Sequence, residues 1–589
     1  MRMLNIAIVG CGPWGLAVLE RFIAHCTRIQ QDQTMLKLHV IEPNEGGTGV
    51  YSDTLPEYLL LNTECGNIHL FGSTFMEPRE PRKGYEMSFY EWLRTHQYKV
   101  EEDGVMREVK PTDFVARKWL GNYLNGVFQT LLSHLPSNMQ AQLHKAKATQ
   151  IIRQGDQEQI ELDNGFSLLV DKVFLTVGHA DTIQFESGLG AQHDVPGQVL
   201  PPFPHQHVQQ VVQPGECVLL AGMGLAAIDV ISYLTIGRGG VFNRQHSGEL
   251  VYQPSGKEPH IIQFSRSGLS YRSRPIGIQD TAGTYKPTFL TKERIDELRK
   301  EHQELDFRAQ VLPLLYDEMK LRYRSKQAED LLERVENPYR DFDPEEAIFG
   351  TCRRYENAAA FQEEMFRQLR CDVAESKSDH ESPSKAAIEL IRVLRDMFRY
   401  AVDFGGLTAS SFRDFRMNIM PMFYRAVVGP PVHKTEQLIA LMKAGIVKHS
   451  LGPAPVIEYE ADNRRWYARS VHLDQRQEVY ASHYVLGYND SNLMSPPSSV
   501  LLQNLQASGR IRSPYSSLHL QGLGVACDPD FHPINEAGEA ERHIFILGLL
   551  TDGSRHFNLY LPSPRSRARA FYDADQCVVE VWKEMGGNK

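Results

Sequence analysis

Asn5-Ile6-Ala7-Ile8-Val9-Gly10-Cys11-Gly12-Pro13-Trp14-Gly15 stands near the start of the chain, and an apolar run from Leu16 to Ile23 follows it. The pattern predicts a short strand, a glycine turn and a helix. That is the order a dinucleotide fingerprint requires. Gly10 serves the tight turn, Gly12 admits a pyrophosphate to the backbone, and Gly15 lets helix and strand pack closely. The free N–H groups at the helix start then face the phosphates, with Pro13 and Trp14 beside them. One helix and one strand later, Leu36-Lys37-Leu38-His39-Val40-Ile41 ends on Glu42. A carboxylate at that place accepts hydrogen bonds from an adenosine ribose. Strand, turn and distant acid together make a far more specific signal than the glycines alone.

Working outward, Pro43 to Tyr51 is dense in glycine, including Gly47 and Gly49, which reads as a loop passing close to something. Tyr58-Leu59-Leu60-Leu61-Asn62 puts one amide beside an apolar run. Asn62 is a candidate for a flavin edge or for fixing a turn. A helix is expected from Pro111 to Val127, and its Arg117 either reaches a cofactor phosphate or is solvated. Lys172 to Val177 reads as a strand closing on Gly178.

The opening pattern returns after a polar, proline-bearing linker over about 180–214. Glu216 to Ala221 is a strand, and Gly222-Met223-Gly224-Leu225-Ala226-Ala227-Ile228-Asp229 is turn and helix. A second unit implies a second dinucleotide. The next strand, His260 to Phe264, delivers Ser265-Arg266-Ser267-Gly268. A base in the place of the acid suits a 2′-phosphate, hence NADPH. Arg272 and Arg274 are rival phosphate ligands.

From about 291 to 420 the chain turns rich in leucine, glutamate and arginine, and residues 291–335, 354–371 and 383–402 read as helices. Arg392, Arg395 and Arg399 fall along one side of a helix, as a solvated face or as a rim attracting an anion. Near the end, His543 to Leu547 is an apolar strand running into Gly548, Thr551, Asp552 and Gly553. Ligands sit beyond the carboxyl ends of such strands, so this turn is expected at the first cofactor. The histidines at 532, 543 and 556 are proton-handling or structural.

The chain has 589 residues, a net charge of −10 and 23% charged residues, which points away from a nucleic-acid binder. Its eight cysteines show no CxxC pair or metal-ligand spacing, as expected of reduced thiols in a cytoplasmic protein. The N-terminal apolar run carries the glycine motif and is not expected to be a signal peptide. No run of about eighteen apolar residues is present, so no membrane contact is expected.

Gly10, Gly12, Gly15 and Glu42, the Gly47–Tyr51 loop with Asn62, Gly222, Gly224 and Asp229, Ser265–Leu269, and Gly548 with Gly553 resemble the FAD/NAD(P)-binding flavoprotein family related to class B flavin monooxygenases and amino-acid N-hydroxylases. The resemblance implies an α/β fold. It has two Rossmann-like dinucleotide-binding domains, a glutathione-reductase-like and discontinuous FAD domain (1–180 and 520–589) and an NADP domain (211–290 and 430–515). A mainly helical insertion over 291–429 completes it. The resemblance also implies FAD, NADPH and O2, with oxygen transfer from a flavin C4a-hydroperoxide to an amino acid or small amine. Arg413 and Arg425 are then candidates to clamp a substrate carboxylate. No FxGxxxHxxxW signature is present, which argues against Baeyer–Villiger chemistry. Another FAD/NADPH oxidoreductase, a C-hydroxylase and a flavoprotein sensor without turnover stay open as alternatives. So does the assembly state, a homodimer among the options.

Overall fold

A computed structural model describes residues 3–28, 35–72, 76, 85–102, 104–178, 199–275, 285–331, 342–350, 353–378, 382–488, 499–515, 518, 520, 523–558, 561–563 and 569–584. Two five-stranded parallel sheets organise it. Their strands are β1 (Met3–Val9), β2 (Met35–Ile41), β3 (Met139–His144), β4 (Lys172–Leu175), β5 (Val199–Leu200), β6 (Cys217–Ala221), β7 (His260–Phe264), β8 (Val447–Lys448), β9 (His483–Leu486) and β10 (Ile544–Ile546). The first sheet runs β10-β4-β1-β2-β3 and the second β5-β9-β6-β7-β8. Each glycine-bearing strand, β1 or β6, is therefore central. It pairs in parallel with the next strand in sequence on one side and the closing strand on the other.

These central strands are buried on both faces, which is why they read as continuous apolar runs rather than alternations. The helices that frame the sheets and the space between them include α1 (Pro13–Arg28), α2 (Arg117–Ser133), α3 (Leu225–Thr235), α4 (Ala358–Lys377), α5 (Arg395–Val402), α6 (Met420–Val427), α7 (Val432–Lys443), α8 (Val500–Ala507) and α9 (Arg569–Glu584). Leu16, Leu19 and Phe22 of α1 share one core with Leu124 and Phe128 of α2 and with Phe571, Ala574 and Val578 of α9. The α9 helix thus returns to the first sheet. A separate helical core gathers Phe307, Phe398, Phe415 and Phe423.

Three boundaries differ from the sequence reading. The second sheet already begins at β5, before residue 211. Phe361, Met365 and Leu369 of α4 pack into the second unit's core instead of forming part of a separate insertion. Leu501, Leu502 and Leu505 of α8 pack on the first unit, although 430–515 is expected in the second. An amphipathic pattern identifies a helix with a buried face. It carries no information about which sheet that face will cover. Most of the expected 180–214 linker lies outside the described residues.

Candidate functional site

The first glycine turn has two faces. On the inner face Gly10, at φ +88°, donates its N–H to the Ile41 carbonyl at 2.9 Å. A β-carbon on Gly15 would stand 2.3 Å from the Gly10 carbonyl oxygen. These two glycines close the strand onto the helix. On the outer face a β-carbon on Gly12 would meet only the Gly49 Cα, at 3.9 Å, and one on Gly178 would meet nothing within 4 Å. The backbone is therefore bare where a pyrophosphate has to approach. Helix α1 begins there, with Pro13 in its first turn and Leu16 N–H bonded to the Gly12 carbonyl at 2.9 Å. Thr176 ties β4 to the turn by donating its hydroxyl to the Val9 and Gly10 carbonyls.

Glu42 is buried at the end of β2. Burial pushes its carboxyl up, against the Cys11 and Asn44 N–H groups that favour its charged form. Oε2 accepts from Cys11 at 2.9 Å and Oε1 from Asn44 at 3.2 Å. A carboxylate has about four acceptor sites, so capacity for ribose hydroxyls is left. Gly548 lies over the same turn, since a β-carbon there would sit 2.9 Å from the Trp14 indole. Asn62 follows the Leu60–Ala116 bridge, is half-buried, and makes no hydrogen bond among the described residues. This set fits an FAD.

The second turn repeats the inner face. Gly222, at φ +113°, donates to the Phe264 carbonyl at 2.8 Å. Ala227 occupies the place of Gly15. The outer face differs, because a β-carbon on Gly224 would stand 3.0 Å from Cζ of Tyr271. Arg266 is exposed in the turn after β7 and has no partner among the described residues. A base with its donors open there fits the 2′-phosphate of NADPH.

Other candidates are employed differently. Arg117, expected at a phosphate or in solvent, is engaged within the chain. It forks onto Asp229 of α3 at 2.6 and 3.2 Å and donates Nε–H to the Leu60 carbonyl at 3.0 Å. The Asp552 carboxylate is held by Arg416 at 2.8 and 3.3 Å, and burial, opposed by Arg416, raises its pKa. No local pattern singles out Arg416 in the sequence, while Arg413 is exposed and makes no contact among the described residues. Arg392, Arg395 and Arg399 form neither a solvated face nor a rim, because all three are buried. Arg399 donates to the His556 and Phe557 carbonyls, anchoring the segment after Gly553. His532 bridges the Ile544 carbonyl and Glu580, and His543 meets the Asp171 carbonyl, so both are structural. His556 is held neutral, its pKa driven to about 3 by burial and then by Arg399, Arg416 and Arg569.

Arg425 is 7% exposed. It donates to the carbonyls of Ser270, at 3.3 Å, Ala347, at 3.2 Å, and Ile348, at 2.7 Å. Arg272 shares the Ala347 carbonyl at 3.4 Å, and its N–H donates to the Arg425 carbonyl at 3.0 Å. Nε of each is buried with no partner, and neither arginine pairs with a carboxylate among the described residues. Burial, then the Arg272 charge, lowers the Arg425 pKa to about 9. The segment is rigidly fixed. Ser273 N–H donates to Asp372 at 2.6 Å, and Asp372 is itself paired with buried Lys385 at 2.6 Å. Tyr424, on α6 one residue from Arg425, is close enough to feel the charges of Asp552, Arg416 and Tyr271. Arg272 follows Tyr271, whose ring lies against Gly224, so the arginine pair adjoins the second turn.

Residues 7–180 match the FAD-NAD(P)-binding family. The chain is 28% identical over 590 residues to nitrosuccinic acid synthase of Aspergillus oryzae, covering 93% of this chain and 88% of that one. It is 29% identical over 525 residues to an L-aspartate N-monooxygenase (nitrosuccinate-forming) of Streptomyces davaonensis, covering 80% and 79%. Ornithine hydroxylase from Pseudomonas aeruginosa superposes with a TM-score of 0.44 at 10% identity, over 99% of this chain and 100% of that one, a likeness too loose to argue from. Residues 7–180 thus carry an FAD-NAD(P)-binding region, and most of the chain is similar to amino-acid N-oxidising proteins.

Proposed function

We propose that the protein is an FAD- and NADPH-dependent monooxygenase that N-hydroxylates an amino acid with an acidic side chain, L-aspartate being the first to test. The observation that carries this is the Arg272–Arg425 pair. Arg425 is buried and Arg272 half-buried, each with a buried, unpartnered Nε and with carbonyls as its hydrogen-bond acceptors, and positive charge held there without a counterion is costly. A carboxylate supplies both the charge and acceptors for the unpaired Nε–H groups. Two arginines suit a dicarboxylic amino acid better than a diamine. The similarity to aspartate-oxidising proteins supports the same choice.

Gly10, Gly12, Gly15, Glu42, Gly49, Asn62, Gly178, Gly548 and the Asp552–Gly553 turn would hold FAD. Gly222, Gly224 and Arg266 would hold NADPH. Together the bound cofactors supply hydride and activated oxygen for transfer to a neutral amine. Arg425 and Arg272 orient the substrate through its carboxylates, while Arg416 and Arg399 keep the Asp552–Phe557 segment in place. The test is a screen of amino acids and polyamines for stimulated NADPH oxidation and O2 consumption, with mass detection of added oxygen. L-Aspartate or a near homologue is expected to respond. Arg425→Met is expected to raise its KM at least about tenfold, roughly one charge-assisted contact, without moving the KM for NADPH. Stimulation by ornithine or polyamines alone, or by nothing, would overturn the reading.

A further inference from the structure

Residues 55–61 run through both units. Leu59 is part of the second unit's core, with Leu55 and Tyr58 packed against it, whereas Leu61 belongs to the first unit's core. The segment ends on Asn62, one of the residues proposed above to hold FAD. Arg117 fastens it where it crosses. Arg117 N–H donates to the Leu59 carbonyl at 2.9 Å and Nε–H to the Leu60 carbonyl at 3.0 Å. The same guanidinium forks onto Asp229 at 2.6 and 3.2 Å. Arg117 opens α2, whose Leu120 and Leu124 lie in the first core, while Asp229 is on α3, which leaves the second glycine turn and packs Ala227, Val230 and Ile231 into the second core. Asp229 is 6% exposed. Beside it, one turn along the same face of α3, Lys434 of α7 donates to Ser232 at 3.1 Å, so α3 is fastened to α7 as well.

We infer that the Arg117–Asp229 fork is a positioning device, setting the second dinucleotide unit and its glycine turn at a fixed place against the Leu59–Asn62 segment and so fixing the approach of the nicotinamide to the flavin. This rests on the FAD/NADPH reading of the site. Hydride transfer is steep in distance and orientation, and a misplacement of about 1 Å can cost about a hundredfold. A planar bidentate pair fixes both coordinates where a lysine would fix only one. Neither residue touches a phosphate-binding glycine, so the pair acts through geometry and not through cofactor affinity.

The experiment compares wild type with Asp229→Asn and Arg117→Lys in two measurements. In anaerobic stopped flow with NADPH, Asp229→Asn is expected to slow flavin reduction at least about tenfold, and Arg117→Lys about threefold or more. The flavin-to-protein ratio and the NADPH Kd should stay within about twofold, and Tm within a few degrees. In amide exchange on the cofactor-free chain, both variants should speed exchange at Leu61, Arg117 and α3. Leu547, bonded to the Leu175 carbonyl inside the first unit, should not change. Wild-type reduction rates together with wild-type exchange at Leu61 and α3 would overturn the inference. So would a rate loss that merely follows lost FAD. If NADPH does not reduce the wild-type flavin, the functional reading fails instead, and the exchange arm still decides whether the fork couples the units.

Discussion

The two dinucleotide units are the same machine with different ends. Both place the glycine strand at the centre of a five-stranded parallel sheet, and both bend the first glycine through positive φ onto the carbonyl that closes the neighbouring strand. They part at three places. Gly15 in the first is Ala227 in the second. Glu42 at the end of β2 is answered by Arg266 just past β7. The Gly12 backbone faces the Gly49 backbone, but Gly224 faces the Tyr271 ring. The shared geometry is what any pyrophosphate needs. The differences fall at the strand ends and over the outer face of each turn, which is where the proposed ligands, FAD and NADPH, would differ.

The sharpest way to break this pairing is at the third small residue. Gly15→Ala would put a β-carbon 2.3 Å from a backbone carbonyl that cannot swing aside. The expected cost is about 3 kcal/mol or more, read as a lowered Tm and loss of bound flavin. The mirror change, Ala227→Gly, only loosens a helix start and should cost about 1 kcal/mol, with flavin content intact. Equal effects would mean the two turns are not built alike.

The strand-end charges come next. Glu42→Gln keeps the shape and removes the charge, so FAD Kd should rise about tenfold, ~1.4 kcal/mol, with the KM for NADPH unmoved. Arg266→Ala should do the reverse, raising the KM for NADPH about tenfold while leaving NADH and FAD alone. If Arg266→Ala weakens NADH as much as NADPH, Arg266 does not read the 2′-phosphate.

The two turns are legible in the sequence because each is a local pattern, with apolar strand, glycine spacing and helix all inside about twenty residues. Partners far apart in the chain are not legible. Arg117 and Asp229 are 112 residues apart, and Arg416 and Asp552 are 136 apart. Nothing in either neighbourhood announces the other. Arg413 and Arg416 illustrate the limit at close range. Phe415–Ile419 is a π-type turn, which shifts the helical phase just where the two arginines sit. One faces solvent and the other Asp552. The spacing of Arg392, Arg395 and Arg399 reads as one side of a single helix, but the helix breaks at Leu394 between Arg392 and Arg395, and burial depends on what the rest of the chain lays over them.

The smallest expected effect concerns a polar chain at the second glycine turn. His449, 1% exposed, follows β8 and donates Nε2–H to the Gln263 side-chain oxygen at 3.0 Å. Gln263 in turn donates to the Gly222 carbonyl at 3.0 Å, so the imidazole braces the second glycine turn. Burial lowers its pKa from 6.5 to about 4. Between those values the unfolded chain binds a proton that the folded chain refuses, so this contribution to stability is complete above 6.5 and drains away as the pH falls toward 4. From pH 6.5 to about 5.5 the loss should be about 1 kcal/mol. His449→Asn keeps a donor for Gln263 and cannot titrate, so its urea midpoint should fall less steeply over that interval. Parallel acid limbs in the two proteins would show that His449 is already protonated in the fold. In that case the brace on the second turn would be a charge-assisted hydrogen bond, unlike the hydroxyl-to-carbonyl tie that Thr176 makes at the first.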